Sequence, residues 1–382
     1  MLSRTRVLKA MGLDTPDRVP SMSQFSIGFM NHQLTETGIT PMELWLDADR
    51  YAEALLFLRE KFDFDGILVS IHGHDPRWRE KVKRFEKENG HEKAIFKDRE
   101  EVYPDDDLPV GRFYEPPKEK DLEDPDILSY IPEQLNYVPA SKESYFFISD
   151  EDPYRIFHIL NDKTQGHFSI HGEVTSALDY MLNFLGYENA LMGMMTYPDT
   201  CKAILRKFTD GVVEMARGLC SQDIDAIKIS SPFAGMGFIS PELYREFELP
   251  YISQIVKAIH QAGKYSYIHT CGSINDRLEM MGESGAAGME CLDPPPIGNV
   301  ELEEAFERIG DDMFIKGNID SVNVLLEAND DDLQQDILSR LKTGMKYKGF
   351  ILSTACSIAP NVKAERIQLI TEIAKKYGQY SQ

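Results

Sequence analysis

The apolar positions of this chain follow two alternating rhythms. Short runs of β-branched and aromatic residues are separated by longer stretches in which apolar residues recur every three or four positions, the signatures of strands and of amphipathic helices. The runs centre on Val19, Ile67, Phe168, Ile227, Tyr267, Met289, Phe314 and Ile351. The run Ile67–Val69 has no polar interruption, as a strand covered on both faces of a parallel sheet requires. Helical spacing marks Leu2–Gly12, with Gly12 as its stop, and Pro41–Lys61, which carries Leu44, Trp45, Tyr51, Ala54, Leu55 and Leu58. It recurs over Ser176–Leu185, around Met192, and over Thr200–Leu219, Tyr251–Gln261, Asn275–Glu283, from Leu302 onward, Asp330–Lys346 and Lys363–Tyr377. Ser240-Pro-Glu-Leu is a helix start, with Ser as N-cap and Pro at the first helical position. Strands at Val19–Gln24, Phe64–Ile71, Gly166–Gly172, Asp225–Ser231, Tyr265–Ile268, Ala287–Leu292, Met313–Asn318 and Phe350–Ala355 alternate with these helices. That order predicts an α/β fold, a single (β/α)8 TIM barrel over residues 1–382, with a doubly wound open sheet as the alternative.

One stretch breaks the rhythm. From about Asp75 to Ser149, after the second strand, the chain is charged and rich in Pro, as in Tyr103-Pro-Asp-Asp-Asp-Leu-Pro. It has too few periodic apolar residues for a core of its own and reads as a solvated insertion, with a lid over the site as the functional alternative. Tyr145–Ile148 and Asp150–Leu160 return as a hairpin edge and a helix.

Composition narrows the partners. A net charge of −22 and a pI near 4.8 oppose non-specific nucleic-acid binding and attraction to an anionic membrane surface. No apolar run is long enough to span a bilayer, and no signal-peptide pattern is visible. The five cysteines, Cys201, Cys220, Cys271, Cys291 and Cys356, are few and widely spaced, so a reducing cytoplasm is expected rather than a disulfide framework.

The chemistry gathers where strands end. In a parallel barrel all carboxyl ends share one mouth. Those ends carry Gln24, His72, Glu173, Ser230 and Ser231, His269 and Cys271, Glu290, Asn318, and Cys356. One histidine and two cysteines form the donor set of a reactive zinc site, with three protein ligands and one open position. Thiolates favour zinc over magnesium or calcium. Each residue alone is more often core, because free cysteine and histidine are commonly buried; His269, Cys271 and Cys356 together at strand ends favour a metal. Cys291 alternates with its neighbours in Met289-Glu-Cys-Leu and reads as packing, and Cys201 and Cys220 fall on helices. Glu173 and Glu290 are the expected candidates for a displaceable fourth ligand.

Several landmarks resemble the uroporphyrinogen decarboxylase superfamily: Pro16-Asp-Arg-Val-Pro20, Phe64-Asp-Gly-Ile-Leu68, Ser240-Pro-Glu-Leu-Tyr-Arg-Glu-Phe-Glu-Leu-Pro-Tyr251, Gly317-Asn-Ile-Asp320 and Ser357-Ile-Ala-Pro360. The resemblance implies a single (β/α)8 barrel. It departs from the decarboxylase itself. Ser21–Met30 has no arginine to hold substrate carboxylates, and neither Ile71 nor His72 is the expected aspartate. His-x-Cys with a distal Cys is similar to the zinc motif of the cobalamin-dependent methyltransferase branch, mapping onto His269, Cys271 and Cys356. The resemblance implies zinc, a corrinoid (cobamide) carried by a partner protein, and a small-molecule methyl donor or acceptor; a homodimer is the expected assembly. His72 and Glu173, with Tyr180, which resembles a decarboxylase site tyrosine in position, complete the expected catalytic set. A decarboxylase of a modified substrate and a non-catalytic zinc- or corrinoid-binding barrel are the alternatives.

Overall fold

The computed structural model describes residues 1–115, 120–141 and 143–380. Its centre is a curled parallel sheet of seven strands, ordered as in the chain: Gly66–Val69, Ser169–Thr175, Ala226–Ser230, Tyr265–Thr270, Gly288–Cys291, Phe314–Ile319 and Phe350–Thr354. Helices follow the strands and cover the outside, so both faces are buried and the strands read as apolar runs. The N-terminal helix Ser3–Met11 lies across the amino ends. Its Val7, Ala10 and Met11 pack with Met22, Ala226, Tyr267, Phe314 and Ile351.

The expected strand at Val19–Gln24 is an extended segment that makes only isolated bridges. Leu352 N donates to Pro20 O at 2.9 Å and Met22 N to Leu352 O at 3.1 Å, while Asp65 N donates to Ser21 O at 2.9 Å. It therefore touches both edges of the sheet without a continuous ladder. Pro20 has no N–H to give, and the Ser21 N–H goes to the Asp65 carboxylate at 2.9 Å. Asp65 also takes Arg6 Nη1 at 2.7 Å and Arg18 Nη1 at 2.9 Å, with all three side chains nearly out of solvent.

Three other expectations shift. The helix expected over 41–61 is two helices, Pro41–Leu46 and Ala48–Phe62, because the Asp47 side chain caps Asp49 N and Arg50 N and starts the second. The strand expected at 166–172 runs three residues later, Ser169–Thr175, which puts Glu173 inside the strand. The charged stretch is not coreless. It builds a four-stranded antiparallel sheet (Arg84–Glu88, His91–Ile95, Arg99–Tyr103, Val110–Phe113) and a hairpin (Tyr137–Ser141, Ser144–Phe147). Ala94, Phe96, Val102, Tyr103 and Phe146 are buried, and Phe146 meets Trp45 edge-on at 5.4 Å between centroids. These strands carry no alternation of period two: Arg84–Glu88 is almost wholly exposed, and burial in Arg99–Tyr103 falls on three consecutive residues, Glu101 to Tyr103, so the hydrophobic pattern did not mark them. No helix among the described residues is long and apolar enough to cross a membrane.

Asp65 is the anion that two buried arginines share. Asp65→Asn should therefore lower unfolding stability by about 3–5 kcal/mol, as breaking one partner of a buried ion pair does. Urea denaturation checks this; a loss below about 1 kcal/mol would contradict the shared-anion account.

Candidate metal centre

The centre is assembled by strand register. Tyr265–Thr270 and Gly288–Cys291 run parallel with His269 beside Glu290 and Thr270 beside Cys291. His269 Nδ1 lies 3.0 Å from Glu290 Oε2, which turns Nε2 toward the strand end, 3.3 Å from Cys271 Sγ. Gly272, with φ of 75°, then bends the chain away, and its N–H donates to Asp293 Oδ2 at 2.7 Å. Cys356 follows the last strand. Its N–H donates to Ser321 Oγ at 3.1 Å and its carbonyl accepts from Ser321 Oγ and Thr354 Oγ1. This sets Cys356 Sγ 3.7 Å from Cys271 Sγ. Cys291 joins them: one donor atom from each of His269, Cys271, Cys291 and Cys356 lies within 4.8 Å of the other three. A tetrahedral zinc with bonds of about 2.3 Å places its ligands about 3.8 Å apart, so the donor set and its spacing fit such an ion.

Beneath the donors lies a buried charge network. Glu290 takes Lys316 Nζ on Oε1 and approaches Lys228 Nζ at 3.6 Å on Oε2; Lys228 also reaches Glu173 Oε1 at 3.2 Å and Gln24 Oε1 at 2.6 Å. Burial opposes ionisation of Glu290, but Lys316, Lys228 and the His269 hydrogen bond outweigh it and hold the carboxyl well below its ordinary range. Burial lowers Lys228, and Glu173 and Glu290 more than restore it, leaving it raised. At the donors, hydrogen bonds from Cys271 and Cys291 hold the Cys356 thiol well below its ordinary value against burial.

The donors open on a cavity of about 480 Å³. Phe25, Trp45, Tyr187 and Phe233 supply its apolar wall; Gln24, Glu173, Asp179 and Ser230 supply polar groups beside His269, Cys271 and Cys356. No Arg or Lys lines it among the described residues. The structure brings four of the six expected site residues together here: Glu173, His269, Cys271 and Cys356. It keeps the other two out. His72 packs with Tyr154 and Phe157, ring centroids 6.0 Å away in each case, and burial pulls its pKa down to about 4. Tyr180 is fully buried, stacked on Phe208, and its hydroxyl donates to Tyr137 O at 2.7 Å.

Two residues escaped the sequence reading. Cys291, expected as packing, points into the donor cluster because Cys291 and Leu292 take φ of 81° and 53°, which ends the strand's alternation. Asp179 lines the cavity one residue before Tyr180; its Ser-x-x-Asp spacing from the Ser176 N-cap was the available signal. Ser176 Oγ donates to Asp179 Oδ2 at 2.6 Å, and burial pushes the Asp179 pKa up to about 7.

Comparison with known proteins follows the same lines. The uroporphyrinogen decarboxylase (URO-D) family model matches residues 151–377. The methylcobamide:CoM methyltransferase MtaA of Methanosarcina barkeri is 24% identical over 244 residues, 64% of this chain and 65% of that protein. The methylated-thiol–coenzyme M methyltransferase of Methanosarcina mazei is 23% identical over 217 residues, 57% of this chain and 56% of that one. Uroporphyrinogen decarboxylase of Ruthia magnifica is 25% identical over 179 residues, 46% of this chain and 49% of that protein. The chain thus spans less than two thirds of the length of these curated relatives. A solved methyltransferase structure from Methanosarcina mazei covers 99% of both chains with a TM-score of 0.72 at 18% identity, which shows a shared fold.

Asp179 gives a pH-dependent test. A buried carboxyl raised to about 7 binds a proton that the unfolded chain, with an ordinary value of 3.8, has released. Its contribution is therefore intact below about pH 4 and is lost as pH rises toward 7. Asp179→Asn should be more stable than the unaltered protein at pH 8 by on the order of 2–4 kcal/mol, with the gap shrinking as pH falls toward 4. Denaturant melts across that range would show it; a gap independent of pH would refute the burial assignment.

Proposed function

Because the chain belongs to the uroporphyrinogen decarboxylase family, in its methyltransferase branch, we propose that it is a zinc-dependent enzyme that moves a methyl group between a corrinoid and a thiol or methylated small molecule. The cobamide would be carried by a partner corrinoid protein. The observation that carries this reading is the cluster His269, Cys271 and Cys356 opening on a cavity large enough for a small substrate. In the same reading the segment Pro20–Met22 serves as the eighth staff of a (β/α)8 barrel, since it bonds to both edges of the sheet.

A zinc ion held there would supply a positive centre that favours thiolate over thiol, or polarises an ether oxygen so that its methyl leaves more readily. The chain's own residues do the rest. Glu290 fixes the His269 ring so that Nε2 faces the donor cluster, and the two buried lysines keep Glu290 ionised for that task. Glu173, tied to Lys228 through one oxygen, presents its other oxygen without a partner and can orient a polar substrate group. The aromatic wall gives the cavity an apolar side on which a methylated substrate can pack.

The decarboxylase alternative is disfavoured by the same cavity. A tetrapyrrole with many carboxylates needs cations around it, whereas the described lining holds Asp106, Asp107, Glu173 and Asp179 and no Arg or Lys. A non-catalytic carrier would bind zinc or cobamide and show no turnover.

Purified protein should contain about one zinc per chain, and Cys271→Ala and Cys356→Ala should each lose it. Zinc retained in Cys356→Ala would count against the site. Glu290→Gln should keep the ligands but weaken zinc affinity by about 10- to 100-fold in a chelator competition. With zinc bound, methylcobalamin and candidate thiols or methyl donors should give a cobalamin spectral change that the Cys271→Ala protein lacks. Carbon dioxide release from a porphyrinogen, with no such change, would favour the decarboxylase instead.

A further inference from the structure

We infer that the cavity takes a quaternary ammonium ion, its N-methyl groups seated against aromatic rings and its charge answered by the carboxylates of the wall. This deepens the methyl-transfer reading above, on which it rests for the ion's role as the methylated small molecule. Three observations carry it. The rings of Phe25, Trp45, Tyr187 and Phe233 line the cavity, and Tyr187 meets Phe233 edge to face, centroids 4.9 Å apart and planes at 82°, so these two form a corner instead of a flat stack. The ionisable lining beside the donors is acidic, Asp106, Asp107, Glu173 and Asp179, with no Arg or Lys among the described residues. Glu173 Oε2 is buried without a hydrogen-bond partner. Lys228 does not answer that oxygen: it is fully buried, reaches Oε1 at 3.2 Å, and is absent from the wall.

A ring presents a negative face to a cation, and the attraction grows where water is excluded. Other ligand classes fit this lining less well. An anion would meet carboxylates and no cation. A primary ammonium brings three N–H donors that each need an acceptor, and rings supply none of the strength that a carbonyl or carboxylate does. A neutral ether offers neither a donor nor a charge to Glu173 Oε2, and a buried oxygen left unanswered is costly. A quaternary nitrogen has no N–H to satisfy. Its charge is shared with the methyl groups, which pack on rings while the carboxylates act on the charge at longer range.

The entrance has the same sign. Asp106 and Asp107 are exposed at the mouth of the cavity. Gly28 lets their backbone approach so closely, since a Cβ there would collide with the Asp106 carbonyl. The net charge of −22 on the chain adds a long-range field that draws cations.

Isothermal titration calorimetry on the zinc-loaded full chain tests this, with choline and its uncharged isostere 3,3-dimethylbutan-1-ol at constant ionic strength. Choline should bind about 10-fold or more tighter than the isostere; equal affinities, or a tighter isostere, would overturn the inference. Phe233→Leu should weaken choline by about 3- to 10-fold and leave the isostere within about 2-fold, because leucine keeps apolar surface and loses the ring face. Equal weakening of both would overturn the ring–cation contact. If that variant fails to fold, Asp106→Asn combined with Asp107→Asn, both exposed, decides the point: choline weakened about 2- to 5-fold at low salt supports the inference, and an unchanged choline affinity overturns it. The two readings fail separately. Choline bound tightly, with no cobalamin spectral change from any donor, would bring down methyl transfer and leave the cation site. A spectral change from a thiol or a methyl ether, with no choline bound, would overturn the cation site and leave methyl transfer.

Discussion

The candidate centre depends on one buried carboxylate. Glu290 sits at the middle of the sheet with almost no solvent contact, and an isolated charge there would be prohibitively costly. Two buried lysines neutralise it, Lys316 from the adjacent strand and Lys228 from the strand beyond that of His269, and its remaining capacity goes to the His269 ring. A charge set of this kind is weak as a source of stability but strong as a source of geometry, because each member has few alternative partners. Burial and pairing pull in opposite directions on every group in it. The lysines win at Glu290, and the carboxylates win at Lys228.

The parallel sheet turns this fixed point into a site. Register places His269 beside Glu290, and the next residues leave the strand at once through Gly272. Cys356 arrives from the far edge of the sheet and is held by backbone contacts with Ser321 and Thr354. Residues 85 positions apart thereby bring their sulfurs to 3.7 Å. A curled sheet permits this, since the carboxyl ends of distant strands converge where those of a flat sheet would diverge. The stretch between the first two strands of the sheet contributes its hairpin residues Val138–Ser141 to the cavity wall, so it takes part in the site instead of hanging from it.

Much of this was legible in the chain and some was not, for identifiable reasons. Apolar runs located six of the seven ladder strands, because a strand buried on both faces tends to be apolar; Ser169–Thr175, which carries Ser, His, Glu and Thr, was expected three residues early. The Val19 strand was readable as extended chain but not as an unladdered segment, since the loss of pairing comes from a carboxylate far along the sequence, Asp65. His269, Cys271 and Cys356 stood out because soft donors follow directly on strand ends. Cys291 did not. A period-two pattern assigns it to the sheet interior, and only the left-handed turn at its own backbone redirects it. His72 also follows a strand, yet lies among aromatic rings away from the cavity, which shows that position after a strand does not by itself fix direction.

Anomalous diffraction at the zinc absorption edge, on crystals of the protein grown with zinc, is the most direct measurement of whether these side chains form one metal centre. A single strong peak is expected at bonding distance, about 2.0–2.4 Å, from His269 Nε2 and the sulfurs of Cys271 and Cys356. A site without a peak, or a peak bound elsewhere on the chain, would contradict the metal centre and with it the proposed methyl transfer.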